Sequence, residues 1–195
     1  MKNKKLKKMV GMALLMALVV VLQMLSGVIP PVGGFNISLV LIPIVLGAAL
    51  YGPGGGALLG ATFGTVVYIN CITGTDIGGA MVFQANPVLC LLVVMGKGVL
   101  AGLSSGLIYK LIAPKNAYIA MLCAAIICPV VNTGVFVVCM LTFFVDVLSV
   151  WAGDKGLTGY ILTGLILANF TPELIINILF SPASHRILPV INKES

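Results

Sequence analysis

Long apolar runs broken by short clusters of Pro, Gly, Asn and charge set the pattern of this chain. Several runs reach the length of about 20 apolar residues that a helix needs to cross a bilayer. The pattern predicts six membrane segments. The first covers 6–26, and a Pro-Pro-Val-Gly-Gly turn at 30–34 leads to the second at 37–50. Tyr51-Gly52-Pro53-Gly54 reads as a tight hairpin into a third segment at 55–69. These two segments are short, so at least one is expected to tilt or to be shielded by its neighbours. A polar loop at 70–86 precedes the fourth segment at 87–112, and a link at 113–116 leads to the fifth at 117–144. A stretch at 145–159 and a small apolar helix at 160–168 then lead to the sixth segment at 172–188. The expectation is an all-α membrane protein, one six-helix transmembrane domain over the 195 residues.

Composition agrees: 60% of the residues are apolar and 8% are charged, against about a quarter charged in a soluble domain. The net charge of +6 is no sign of nucleic-acid binding, because of where the cations lie. Lys2, Lys4, Lys5, Lys7 and Lys8 crowd the N-terminus just before the first apolar run. With that end cytoplasmic, the same side receives Lys110, Lys115, Arg186 and Lys193. The other side receives Lys155 with Asp76, Asp146 and Asp154. The positive-inside rule then puts both termini in the cytoplasm. A secretory signal peptide shares the basic head and apolar body. Here the body runs about 19 residues, longer than a signal core, and leads into further spans.

Some chemistries are not expected. Gly96-Lys97-Gly98 lacks the upstream glycine and following Ser or Thr of a phosphate cradle, and Gly54-Gly55-Gly56 has no lysine behind it. ATP hydrolysis by this chain alone is therefore not expected. The five cysteines (Cys71, Cys90, Cys123, Cys128 and Cys139) sit mostly in apolar runs without metal-ligand spacing and read as small packing residues. With His185 as the single histidine, near the inner end of segment six, no metal site, cofactor or catalytic constellation is expected. Glycines recur every four residues at Gly52, Gly56, Gly60 and Gly64, and again at Gly98, Gly102 and Gly106. Each ladder smooths one helix face for close backbone approach, so helix packing suffices to explain both.

A family resemblance rests on order and spacing. The first segment carries Ala13-Leu14-Leu15-Met16-Ala17, the second carries Ile42-Pro43, and the hairpin reads Leu50-Tyr51-Gly52-Pro53. Segment four reads Lys97-Gly98-Val99-Leu100-Ala101-Gly102-Leu103, and segment six opens Thr171-Pro172-Glu173-Leu174-Ile175. Over nearly its whole length the chain resembles the S components of energy-coupling factor (ECF) transporters, the substrate-binding subunits of prokaryotic vitamin importers. The resemblance implies a multi-pass cell-membrane protein that captures a vitamin-like molecule near the outer face. It implies docking, through Ala13 and Ala17, on a shared transmembrane coupling subunit driven by two ATPases.

Polar residues inside apolar segments are costly and form the candidate site. Thr171 at N-cap, Pro172 at N1 and Glu173 in the first turn read as a helix cap. Equally, Glu173 and Asn177, four apart on one face near the outer end, read as pocket residues. Lys97 lies ten residues into segment four, about 15 Å deep. It serves either as a structural partner of a carbonyl or of Glu173, or as the partner of a substrate group. Asn132 and Thr133 follow Pro129, so they either satisfy the carbonyl that proline frees or bind substrate. Gln84 and Asn86 border the same mouth, with helix capping the competing role for Asn86. Phe35, Phe83 and Trp151 fall in outer loops, where aromatics often anchor the interface. The loops at 26–36 and 70–86 are expected to gate a pocket lined by segments four to six. The rival readings are a stand-alone small-solute channel or facilitator, and a ligand-free accessory subunit in which Glu173 and Lys97 pair.

Overall fold

The computed structural model describes residues 2–26 and 39–194. All its elements are helical: α1 (Lys2–Ser26), α2 (Leu41–Thr73), α3 (Ile77–Ala85), α4 (Pro87–Ile112), α5 (Ala117–Phe143), α6 (Val145–Ala152), a 3₁₀ turn (Gly153–Lys155), α7 (Gly156–Tyr160), a π-helical segment (Ile161–Phe170) and α8 (Thr171–Glu194). Five helical stretches among the described residues are long and apolar enough to cross a membrane: Lys5–Ser26, Leu41–Thr73, Pro87–Ile112, Ala117–Phe143 and Val145–Leu188. The six expected segments thus resolve into five apolar stretches, because the second and third share α2.

Within α2 the chain doubles back at Gly52, whose φ of 80° and ψ of −175° leave the helical region and suit only glycine. A Cβ on Gly55 would meet the Gly47 carbonyl oxygen at 3.3 Å, and one on Gly56 would meet the Ala48 Cβ at 2.7 Å. Residues eight apart in an unbroken helix stand about 12 Å apart, so arms 41–51 and 53–73 lie side by side. The Pro30–Gly34 turn and the start of the second segment lie outside the described residues.

Two other expectations are corrected. The polar loop at 70–86 contains the last turn of α2 and the whole of α3. That helix is started by Asp76, whose Oδ1 accepts the Gly79 N–H at 3.0 Å, and it stops at Asn86, which is extended. Asn86 in turn caps α4, its Oδ1 accepting from Val88 N at 3.1 Å and Leu89 N at 3.0 Å. The second correction concerns Thr171, which is no N-cap. Its φ of −62° and ψ of −47° are helical, and its backbone N–H donates to the Ile166 carbonyl. The Thr171 hydroxyl donates to the same oxygen at 2.9 Å. These wide i→i−5 turns shift the carbonyls that the Pro172 ring would strike in a regular α-helix. The helix therefore passes through Pro172, and α7, the π segment and α8 form one rod.

The glycine ladders of α2 and α4 interlock. A Cβ on Gly60 would collide with the Gly98 carbonyl, and one on Gly56 with the Gly102 carbonyl. The reverse pairs are equally tight, and Gly106 abuts Pro53. Backbone lies on backbone, as small-residue helix pairs allow. The Ser105 hydroxyl adds a bond to the Ala124 carbonyl at 3.1 Å, tying α4 to α5. One face of α1 packs through Met12, Leu15, Met16, Val19 and Leu22. Leu6, Met9, Val10, Leu14, Leu18, Val21 and Leu25 on the other face are exposed.

Gly60→Ala is expected to destabilise the protein by about 1–3 kcal/mol, the usual cost of overpacking. Gly96→Ala, where a Cβ meets nothing within 4 Å, is expected to be neutral or slightly stabilising. Thermal unfolding of the two variants in mild detergent checks this; equal midpoints would refute the ladder's role.

Candidate functional site

Most of the basic residues cluster at one end of the bundle, with Lys97 and Lys155 the exceptions among the described residues. Lys8 Nζ lies 6.0 Å from the Tyr51 ring centroid at the α2 bend, Gly106 meets Pro53 there, and Lys110 follows one turn later. Tyr118, at the start of α5, packs edge-on against His185 at 5.7 Å, which places Arg186 at this end too. The opposite end holds a cavity of about 540 Å³, within the range of small-molecule sites. Its wall is built from the last turns of α1 and α2, from α3, the first turns of α4, the middle of α5, Trp151 of α6 and the upper rod.

Four of the residues singled out by their polarity meet in this wall: Lys97, Asn132, Thr133 and Glu173. The Gly60–Gly98 contact fixes the rotation of α4 and with it the direction of Lys97. Its ammonium lies between two rings, 5.5 Å from the Phe63 centroid and 4.9 Å from that of Phe136. Asn132 and Thr133 are 5% and 6% exposed. Asn132 Oδ1 and Thr133 Oγ1 have no hydrogen-bond partner among the described residues. The Thr133 hydroxyl therefore does not satisfy the carbonyl freed by Pro129, one of the two roles its position suggested. Glu173 is 3% exposed and stands near the middle of the rod, not at the outer end of a span, because the rod begins well before Pro172.

The other three candidates lie elsewhere. Asn177 is buried behind Glu173, and its Nδ2 donates to the Glu173 carbonyl at 2.9 Å, so its amide serves the helix backbone. Asn86 caps α4, and Gln84 is exposed on α3; none of the three lines the cavity. Ala13 and Ala17 lie on the exposed face of α1.

Several wall residues escaped the sequence pattern. Asn169 and Tyr160 line the cavity, although a supposed break at Pro172 put Asn169 in a linker. Trp151 looked like an interface anchor. It stacks on Phe136 (6.5 Å between centroids, 21° between planes) and lies 6.4 Å from Tyr160. Its Nε1–H donates to Met81 Sδ at 3.3 Å, which holds α3 over the cavity. Phe83 instead packs edge-on against Tyr68 at 5.8 Å, and Phe35 lies outside the described residues. Signals for Trp151 and Asn169 were present: each is a polar-tipped residue inside an otherwise apolar stretch.

The arrangement is a chamber with an aromatic wall, a cation close to two rings, and polar residues in its lining. Such a chamber is suited to holding a small polar molecule. No curated protein matches the chain. The family model described as "ECF transporter, substrate-specific component" matches residues 7–183, nearly the whole chain. With that match and this chamber in a bundle of membrane-length helices, the chain belongs to the substrate-specific components of ECF transporters.

Proposed function

We propose that this chain captures a vitamin or similar water-soluble micronutrient from outside a prokaryotic cell and delivers it to an ATP-driven importer. The observation that carries this reading is the joint placement of Lys97, Asn132, Thr133 and Glu173 in one cavity. The cavity opens at the end away from the basic residues. The positive-inside rule makes that the outer face, with both termini cytoplasmic. The two arms of α2 count as two crossings, the first helped across by its neighbours because it is short. That gives six, the even number that returns the C-terminus to the side of the N-terminus.

Ala13 and Ala17 support docking. They lie on a face of α1 that this chain leaves uncovered, and two alanines one turn apart let a partner helix approach closely. On this reading the loaded subunit docks there on a shared coupling subunit, and ATP hydrolysis by two partner ATPases drives release inside. The channel alternative gains less support. Below Lys97 and Glu173 the interlocked glycines and the Ser105–Ala124 bond close the helices on one another.

The test is to purify the protein in mild detergent from cells grown in rich medium, denature it, and identify the released compound by mass spectrometry. A micronutrient at about one per protein is the expected result. Solute flux through vesicles holding this chain alone, without partners or ATP, would overturn the reading. Ala13→Trp and Ala17→Trp are each expected to abolish cellular uptake and leave affinity for the recovered compound unchanged. Loss of affinity in those variants would remove the docking assignment. Glu173→Ala should weaken binding at least tenfold while assembly with the coupling subunit, followed by co-purification, stays intact.

A further inference from the structure

The chemistry of the wall narrows what the cavity accepts. Lys97 is the one basic residue among those lining it, and the acids are Asp76 and Glu173. Asp76 is committed to the start of α3 through the Gly79 N–H. The Lys97 ammonium has ring faces on two sides. Aromatic faces steady a cation electrostatically, but they are poor acceptors for its three N–H donors. A half-buried ammonium so placed attracts an anion more strongly than one in bulk water.

Asn132 Oδ1 and Thr133 Oγ1 supply the second observation. Both atoms are buried without a hydrogen-bond partner among the described residues, whereas buried polar atoms in folded proteins are nearly always paired. A carbonyl oxygen can only accept, so its partner must bring an N–H or O–H. Asn132 and Phe136 are four residues apart on α5 and share a face. The ring against Lys97 therefore sits one turn from the amide that wants a donor. Phe136 and Trp151, stacked nearly parallel, continue the wall as a flat apolar surface.

We infer that the cavity selects a small organic acid that carries hydrogen-bond donors. Its anionic group sits on Lys97, its donors meet Asn132, Thr133 and the Glu173 carboxylate, and its body lies along the Phe136–Trp151 wall. This rests on the binding-subunit reading above and adds the sign of the charge. A cationic or uncharged molecule of the same size leaves the ammonium without an anion and binds more weakly.

Calorimetry on the purified protein in detergent tests it. The probes are acids paired with neutral counterparts: pantothenate with panthenol, nicotinate with nicotinamide, and pterin-6-carboxylate with pterin. Thiamine serves as a cation, and the compound released on denaturation is added once its formula is known. The expected result is that every binder found is an anion at neutral pH, at least tenfold tighter than its neutral partner. In Lys97→Met that preference should fall below threefold, and in Lys97→Arg it should largely return, with thermal midpoints confirming that both variants fold. A neutral or cationic binder, or an acid whose preference survives Lys97→Met, overturns the inference and leaves the binding-subunit reading standing. A protein that releases nothing and binds none of the probes overturns both.

Discussion

The contact between the backbones of α2 and α4 is the constraint on which the rest depends. Inside a bilayer there is no hydrophobic gain from bringing two helices together, so dispersion contacts must hold them, and these need close approach. Glycine at every fourth position provides it. Gly56 and Gly60 meet the carbonyls of Gly102 and Gly98, which locks the rotation and axial register of both helices at once. Lys97 precedes Gly98, and Phe63 follows Gly60 by less than one turn. The contact that stabilises the bundle therefore also aims the cation and one of its rings into the cavity.

Around the cavity larger residues take over from the glycines. Phe136, Trp151 and Tyr160 line the space without filling it, together with Asn132 and Thr133 of α5 and Asn169 and Glu173 of the rod. The division of labour follows from side-chain size. Small residues bring α2 and α4 together, and bulky aromatic ones line the cavity.

Much of this was legible in the sequence, for identifiable reasons. The ladders are periodic, so their packing role could be read from spacing alone. The bend at Gly52 was announced by Gly-Pro-Gly. Lys97, Asn132, Thr133 and Glu173 stood out because a polar residue in an apolar run is expensive. The errors share a cause, which is that local signals have more than one structural solution. Thr-Pro-Glu is the ordinary start of a helix, yet here a π-helical stretch carries the chain through Pro172. That moved Glu173 to mid-rod and brought Asn169 into the wall. Asn177 was correctly placed beside Glu173, but its amide bonds to the preceding turn, a local alternative that spacing cannot distinguish. The 70–86 stretch has the glycines and polar residues of a loop, and still contains a helix because Asp76 and Asn86 cap it and the next one.

The attachment of α3 differs in kind from that of the spanning helices. It is joined to α2 through Gly74, which has a left-handed φ of 76°, and to α4 through the extended Asn86. Across the cavity it is held by side chains, chiefly the Trp151–Met81 contact. Moving it breaks no spanning helix and leaves the contacts between the α2 and α4 glycine ladders in place. Access and architecture are thereby mechanically separate: the bundle can keep one geometry while its roof exchanges solvent and solute.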